Sequence, residues 1–251
     1  MPIENKKCPV RKCPWGAQPN NELTFLIACC QTDLSKDDID FIHSYLDTQY
    51  LDINTLIGLA NQHGILPLIY KTLKKLSESD STLNTKQSIL LADLRSIYTQ
   101  IAQRNMLMSA ELIRIMKLFK ENDIEARAFK GPTLSQTAYG DITLRQFGDL
   151  DILIKRSDIS PMIDLLIAEG YVSEIELDTK MKDTFLNALN VIGFYKSTSN
   201  ILIEIHWELL SKNYAIKWDE NALWNQEREI ITINNNSIQV LPHEEQLLYL
   251  C

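Results

Sequence analysis

Between residues 86 and 121, apolar side chains recur at Leu90, Leu94, Ile97, Ile101, Met108, Leu112, Ile115 and Phe119, in steps of three, four and seven. That spacing predicts one long amphipathic helix. Asn122 and Asp123 then supply a stop, and beyond them short strand-like stretches of period two alternate with helical ones. That switch from continuous helical periodicity to a mixture constrains the fold strongly. It predicts an α+β chain, with a helical N-terminal bundle followed by a region of strands and shorter helices. The seam at 90–119 suits the core of such a bundle, and its near-heptad spacing also accommodates a partner helix.

The first half contains few strong breakers after residue 21, chiefly Gly58, Gly64 and Pro67. Ser35, followed by Lys-Asp-Asp, reads as an N-cap with acidic residues in the first turn. Further helices are expected at 53–63 and 67–76. In the second half, strands are expected at 127–129, 149–155 and 171–175, with helices at 132–139, 158–169 and 179–189. Residues 190–196 and 201–207 read as one hairpin, and 228–233 with 237–241 as a second around Asn234–Asn236. A helix begins at His243. Trp218 and Trp224 read as anchors for a short helix. The expected domains are a flexible arm at 1–20, a helical region at 21–122 and an α/β core at 123–251. That core ends inside an amphipathic helix at Leu248-Tyr-Leu-Cys251 with no cap, as a truncated C-terminal helix would.

Charge and cysteine content exclude some roles. The net charge of −8 disfavours nucleic acid as a partner, because phosphate contacts need clustered Lys and Arg. The five cysteines (Cys8, Cys13, Cys29, Cys30 and Cys251) follow no zinc-site spacing and read as free thiols in a reducing cytosol. No window approaches the length of a membrane-spanning helix. Basic residues followed by Leu23–Cys29 superficially resemble a lipoprotein signal, but that apolar run is too short. A cytoplasmic protein without a membrane partner is expected.

The richest chemistry lies in Arg145-Gln-Phe-Gly-Asp-Leu-Asp-Ile-Leu-Ile154. On a strand, residues two apart share a face, so Asp149 and Asp151 project together with Cα atoms roughly 6–7 Å apart. Leu150, Ile152 and Ile154 face the other way, into a core. Two neighbouring carboxylates call for a cation, and a hard ion such as Mg²⁺ prefers carboxylate oxygens. Ile201-Leu-Ile-Glu-Ile-His-Trp207 also alternates, placing Glu204 and His206 on one face. If it lies beside 149–155, Glu204 joins the two aspartates.

The ordered set Lys130-Gly131-Pro132, Tyr139-Gly140-Asp141, Arg145, Gly148-Asp149-Leu150-Asp151 and Glu204-Ile205-His206-Trp207 resembles the uncharacterised bacterial nucleotidyltransferase family of the polymerase-β-like superfamily. The resemblance covers about residues 124–250 and is weaker in the helical half. It implies a polymerase-β-like core, a mixed β-sheet with flanking helices, with Asp149, Asp151 and Glu204 as catalytic, metal-binding carboxylates. Glu204 is either a ligand or the base that takes the acceptor proton. Lys130 and Gly131 stand at the strand-to-helix turn where the superfamily has Gly-Ser, and helix-start N–H groups there can cradle phosphates. Lys130 would replace the missing hydroxyl with charge. Arg145 is assigned to a phosphate and His206 to the nucleotide or to orienting Glu204.

The resulting expectation is a transferase that uses Mg²⁺ or Mn²⁺. It would move an NMP from an NTP such as ATP to a small-molecule or protein acceptor. Two other readings share the same residues: a nucleotide-binding or partner-interaction module that has lost catalysis, and a metal-dependent phosphohydrolase.

Overall fold

The computed structural model describes residues 21–31, 33–47, 52–79, 85–175, 188–196, 198–209 and 220–250. The chain packs as two compact units. The first comprises residues up to Gln103 together with Thr143–Gln146, and the second comprises Arg104–Ile142 and Phe147 onward.

The first unit is helical. It contains α1 (Asn21–Cys29), α2 (Lys36–Leu46), α3 (Ile53–Gln62), α4 (Leu66–Ser79) and the start of α5 (Thr85–Glu121). Ser35 caps α2 as expected, in a reciprocal box: its Oγ accepts from Asp38 N–H, and Asp38 accepts from Ser35 N–H. Asp52 caps α3. Gly64, at φ 65°, ends that segment in a conformation a side chain would strain. Phe25, Leu26, Ile42, Leu56, Leu66, Ile69, Leu90 and Leu94 form the core. The Leu23–Cys29 run is therefore a core helix. Burial raises the Cys29 thiol well above its ordinary value and pushes Cys30 up to about 11, so neither carries thiolate near neutrality. No described helix is long and apolar enough to cross a membrane.

The second unit is built on a mixed sheet. Its strands are β1 (Ala126–Phe129), β2 (Asp149–Ile154), β3 (Val172–Ser173), β4 (Val191–Lys196), β5 (Ile201–His206), β6 (Glu229–Ile233) and β7 (Asn236–Val240), in the order β3-β4-β5-β2-β1-β7-β6. Helices α6 (Gly131–Tyr139), α7 (Ile159–Ala168), α8 (Glu220–Asn225) and α9 (His243–Leu250) accompany it. The fold is thus α+β, with helices first and the mixed sheet after. Both expected hairpins are present, as β4–β5 and β6–β7. The strand expected at 171–175 shrinks to Val172–Ser173, which pairs with β4 at the edge of the described sheet. The expected helix at 179–189 falls mostly outside the described residues, as do the 1–20 arm, Trp218, Cys8, Cys13 and Cys251.

The seam of α5 is buried in two stretches. Leu90, Leu94 and Ile101 join the first unit's core, while Met108, Leu112, Ile115 and Phe119 join the second's. In the second unit they pack with Leu150, Ile152, Ile154, Ile203, Ile205, Ala126 and Ala128. These residues alternate along three central strands, so along those strands one face of the sheet is apolar. The opposite face carries a smaller cluster of Phe129, Leu153, Leu209, Leu223 and Leu241, and beside it the charged residues.

Candidate metal and nucleotide site

Strand pairing decides which acids meet. β2 and β5 run parallel with Asp151 opposite Glu204, Leu153 opposite His206 and Asp149 opposite Leu202. β1 lies on the other side of β2 with Phe129 opposite Asp151 and Arg127 opposite Leu153. Directly paired residues share a face. Asp149, Asp151, Glu204, His206, Phe129 and Arg127 therefore share the face opposite the apolar core.

Asp151, Glu204 and His206 each offer a ligand atom, and these atoms lie within 4.8 Å of one another. His206 Nε2 is 3.2 Å from Asp151 Oδ1 and 3.5 Å from Glu204 Oε2. Exposure rises outward: the Asp151 side chain is 0% exposed, His206 5% and Glu204 32%. The group thus opens to solvent on the Glu204 side and has a dry floor. Asp151 Oδ2 is buried without a hydrogen-bond partner. Such a carboxylate oxygen is costly to bury unless something cationic reaches it.

Asp149 stands one alternation away, half-buried at the head of β2, and is not in the tight trio. Its pKa is raised, first by burial and then by the charges of Asp151 and Glu204. Burial alone would lower the pKa of His206. Hydrogen bonds to Asp151 and Glu204 outweigh that, and the imidazole sits above its ordinary value. The carboxylates of Asp151 and Glu204 contribute to both shifts, after burial in the case of Asp149.

Lys130 supplies part of the compensation. Its Nζ donates to Asp151 Oδ1 at 2.8 Å, and the side chain is 24% exposed. The ammonium also lies 4.7 Å from the centre of the Tyr249 ring and 5.4 Å from that of Phe129. Phe129 in turn meets His206 edge-on at 5.0 Å. The Lys130 backbone has φ 51° and ψ −144°, which L residues rarely adopt. It is pinned on both sides: Lys130 N–H donates to Gln246 Oε1 at 2.8 Å, and Thr133 Oγ1 donates to Lys130 O at 2.8 Å. Gly131, at φ 34°, follows; a β-carbon there would stand 3.2 Å from Asp149 O, so the turn sits tight on the start of β2. Pro132 lies in the first turn of α6, as expected.

Arg145 is in the 143–146 segment, which packs with the first unit, and the trio is assembled from the second unit alone. Three contributors escaped the sequence reading. Gln246 and Tyr249 come from α9 and reach Lys130 from more than a hundred residues away. Gly193 pairs with Glu204, and the carboxylate of Glu174 lies where a side chain at 193 would be. A glycine inside an apolar strand was the one available signal, since it often marks a close approach.

The profile of a family described as uncharacterised nucleotidyltransferase matches residues 49–251, most of the chain, and the chain belongs to that family. No curated protein and no solved structure matches it.

Proposed function

We propose that this member of the nucleotidyltransferase family transfers an NMP from an NTP to a hydroxyl or phosphate of a small-molecule or protein acceptor. The single observation that carries the reading is the convergence of Asp151, Glu204 and His206 on one sheet face, with Asp149 beside them. The donor set suits a divalent cation. Two carboxylates and an imidazole lie within one cluster, and the orphaned Asp151 Oδ2 lacks the partner an ion would give it. Carboxylates suit Mg²⁺ or Mn²⁺, and the imidazole tilts the set toward Mn²⁺. Bound there, the cation would neutralise charge on the triphosphate and its leaving pyrophosphate.

The chain's own residues do the rest. Asp151 anchors from the buried floor. Glu204, the most exposed of the trio, is the carboxylate able to meet an incoming acceptor and hold its proton. His206 is held between the two acids and orients Glu204. Lys130 and Gly131 lie at the turn where phosphates are expected, beside the first turn of α6. The acidic balance of the chain favours a small molecule or protein as acceptor over a polynucleotide.

One observation favours a second reading, a nucleotide-binding module without turnover. Lys130-Gly131 stands where the superfamily has Gly-Ser, so the serine hydroxyl is missing, and Lys130 already occupies Asp151.

The test is incubation with Mg²⁺ or Mn²⁺ and each labelled NTP, with and without cell extract. Release of pyrophosphate with transfer of label is expected, and Asp151→Asn with Glu204→Gln should abolish it. Release of inorganic phosphate instead would mark a hydrolase. Nucleotide binding without turnover, unchanged in the double variant, would overturn the catalytic reading.

A further inference from the structure

We propose that Lys130 is a resident counter-ion that a divalent cation must displace from Asp151, so that metal and nucleotide bind cooperatively through this one ammonium. The inference rests on the metal site proposed above, and it adds a rule for how that site fills.

The geometry points to competition. The Lys130 ammonium holds Asp151 Oδ1 at 2.8 Å, the same oxygen that faces His206 Nε2. An ion bound by Asp151, Glu204 and His206 would sit among atoms that lie within 4.8 Å of one another. An ammonium left on Asp151 would then be a like charge at close range, beside a fully buried carboxylate. With a single carboxylate between them, the two positive charges repel even where the ion takes the free Oδ2 and the ammonium holds Oδ1.

The lysine is also built to move at its tip and stay at its root. Its backbone is held in a rare conformation by Gln246 and Thr133, so the Cα is fixed. Its four-carbon stem is flexible, and the head rests on the open face of Tyr249, partly exposed. Once off Asp151, the ammonium needs a new anion. A triphosphate arriving with the metal supplies one, and a metal ion alone does not. Metal alone should therefore bind weakly, and nucleotide should strengthen it. Gln246 is a positioning residue in this scheme, acting through the Lys130 backbone.

The experiment is Mn²⁺ titration of the full chain, followed by the electron paramagnetic resonance of free Mn²⁺, with and without a non-hydrolysable NTP. Wild type, Lys130→Met, Gln246→Ala and Asp151→Asn are compared. Lys130→Met should bind Mn²⁺ alone about tenfold more tightly than wild type, the scale expected on removing one adjacent charge. The gain that nucleotide adds should shrink by a similar factor. Gln246→Ala should move both quantities the same way but less; a merely structural role would weaken both. Equal or weaker Mn²⁺ binding by Lys130→Met, with binding lost in Asp151→Asn, would overturn the exchange and leave the metal site standing. Unchanged binding in Asp151→Asn would overturn the metal site itself. A second measurement needs no variant. Acylation of wild-type Lys130, read by mass spectrometry, should rise when Mn²⁺ and nucleotide-free buffer are combined. An unchanged or lower yield would contradict displacement.

Discussion

The two faces of the central sheet use the same strands for opposite ends. On one face, Leu150, Ile152, Ile154, Ile203 and Ile205 are fully buried among apolar neighbours. On the other, the intervening residues of those strands include Asp149, Asp151, Glu204 and His206. The apolar face is stabilised by burial, at roughly 1.5–3 kcal/mol for each large side chain. The other face collects like charges, an orphaned carboxylate oxygen and a strained lysine backbone. The contrast teaches that this strand pairing carries a destabilising charge cluster because its reverse side holds the sheet together. Substitutions on the two faces should therefore separate stability from activity.

The largest separation is expected from Asp151→Asn. Label transfer should fall about a thousandfold, the scale of losing one group that stabilises the transition state. The melting temperature of the metal-free protein should hold or rise. Loss of the fold in that variant would break the comparison, because Asp151 would then be structural.

Ile203→Ala is the mirror experiment. It empties a fully buried position on the apolar face and should cost about 2–5 kcal/mol by chemical denaturation. Activity per folded molecule should stay within about twofold, since a cavity in the apolar core removes no catalytic group. A disproportionate loss of activity would show that the faces are coupled.

Arg127 gives a smaller and less intuitive effect. It is buried on the site face, with Nη1 and Nη2 lacking hydrogen-bond partners and its guanidinium 5.0 Å from the Trp224 ring. Burial lowers its pKa, against the pull of Glu125. Glu125 keeps Lys155 at 2.6 Å and Arg228 at 3.2 Å, so removing Arg127 does not strand it. Arg127→Met should leave stability unchanged or raise it by about 1 kcal/mol. A loss of more than about 1 kcal/mol would show that the ring contact outweighs desolvation.

The smallest effects are those of proton linkage, measured as melting temperature against pH on metal-free protein. The folded pKa of His206 is raised, so its contribution is fully present below about 6.5, its unfolded value, and is lost as pH climbs through the folded value. His206→Gln should flatten that slope. Asp149 is also raised, so ionising it penalises the folded state once pH passes from about 3.8 through the folded value. Asp149→Asn should therefore be slightly more stable at neutral pH. An opposite sign for either variant would mean that the site is better neutralised than its geometry implies.

Much of this contrast was legible in the sequence because side-chain alternation has a period of two on any strand. Asp149 with Asp151, and Glu204 with His206, could be placed on shared faces from spacing alone. Their meeting depended on β2 lying beside β5, an adjacency that the family resemblance suggested and no local pattern encodes. Element ends were less legible: α6 starts at Gly131 and the 171–175 strand is two residues long. The contacts of Lys130 with Gln246 and Tyr249 were not legible at all. They join residues far apart in sequence, through a helix whose polar Gln246 looks like an ordinary surface position until it is seen buried. Placing Asp149 and Asp151 as equal ligands was coarser than the geometry, which draws His206 into the tight group and leaves Asp149 beside it.

The central claim is that Asp151, Glu204 and His206 form one cation site serving nucleotide transfer. Anomalous diffraction from crystals soaked with Mn²⁺ and a non-hydrolysable NTP tests it most directly. The account predicts a Mn²⁺ peak bonded to oxygens of Asp151 and Glu204 and to His206 Nε2, with the triphosphate against it and the Lys130 ammonium off Asp151. A peak elsewhere, or none with Lys130 still seated on Asp151, would contradict it.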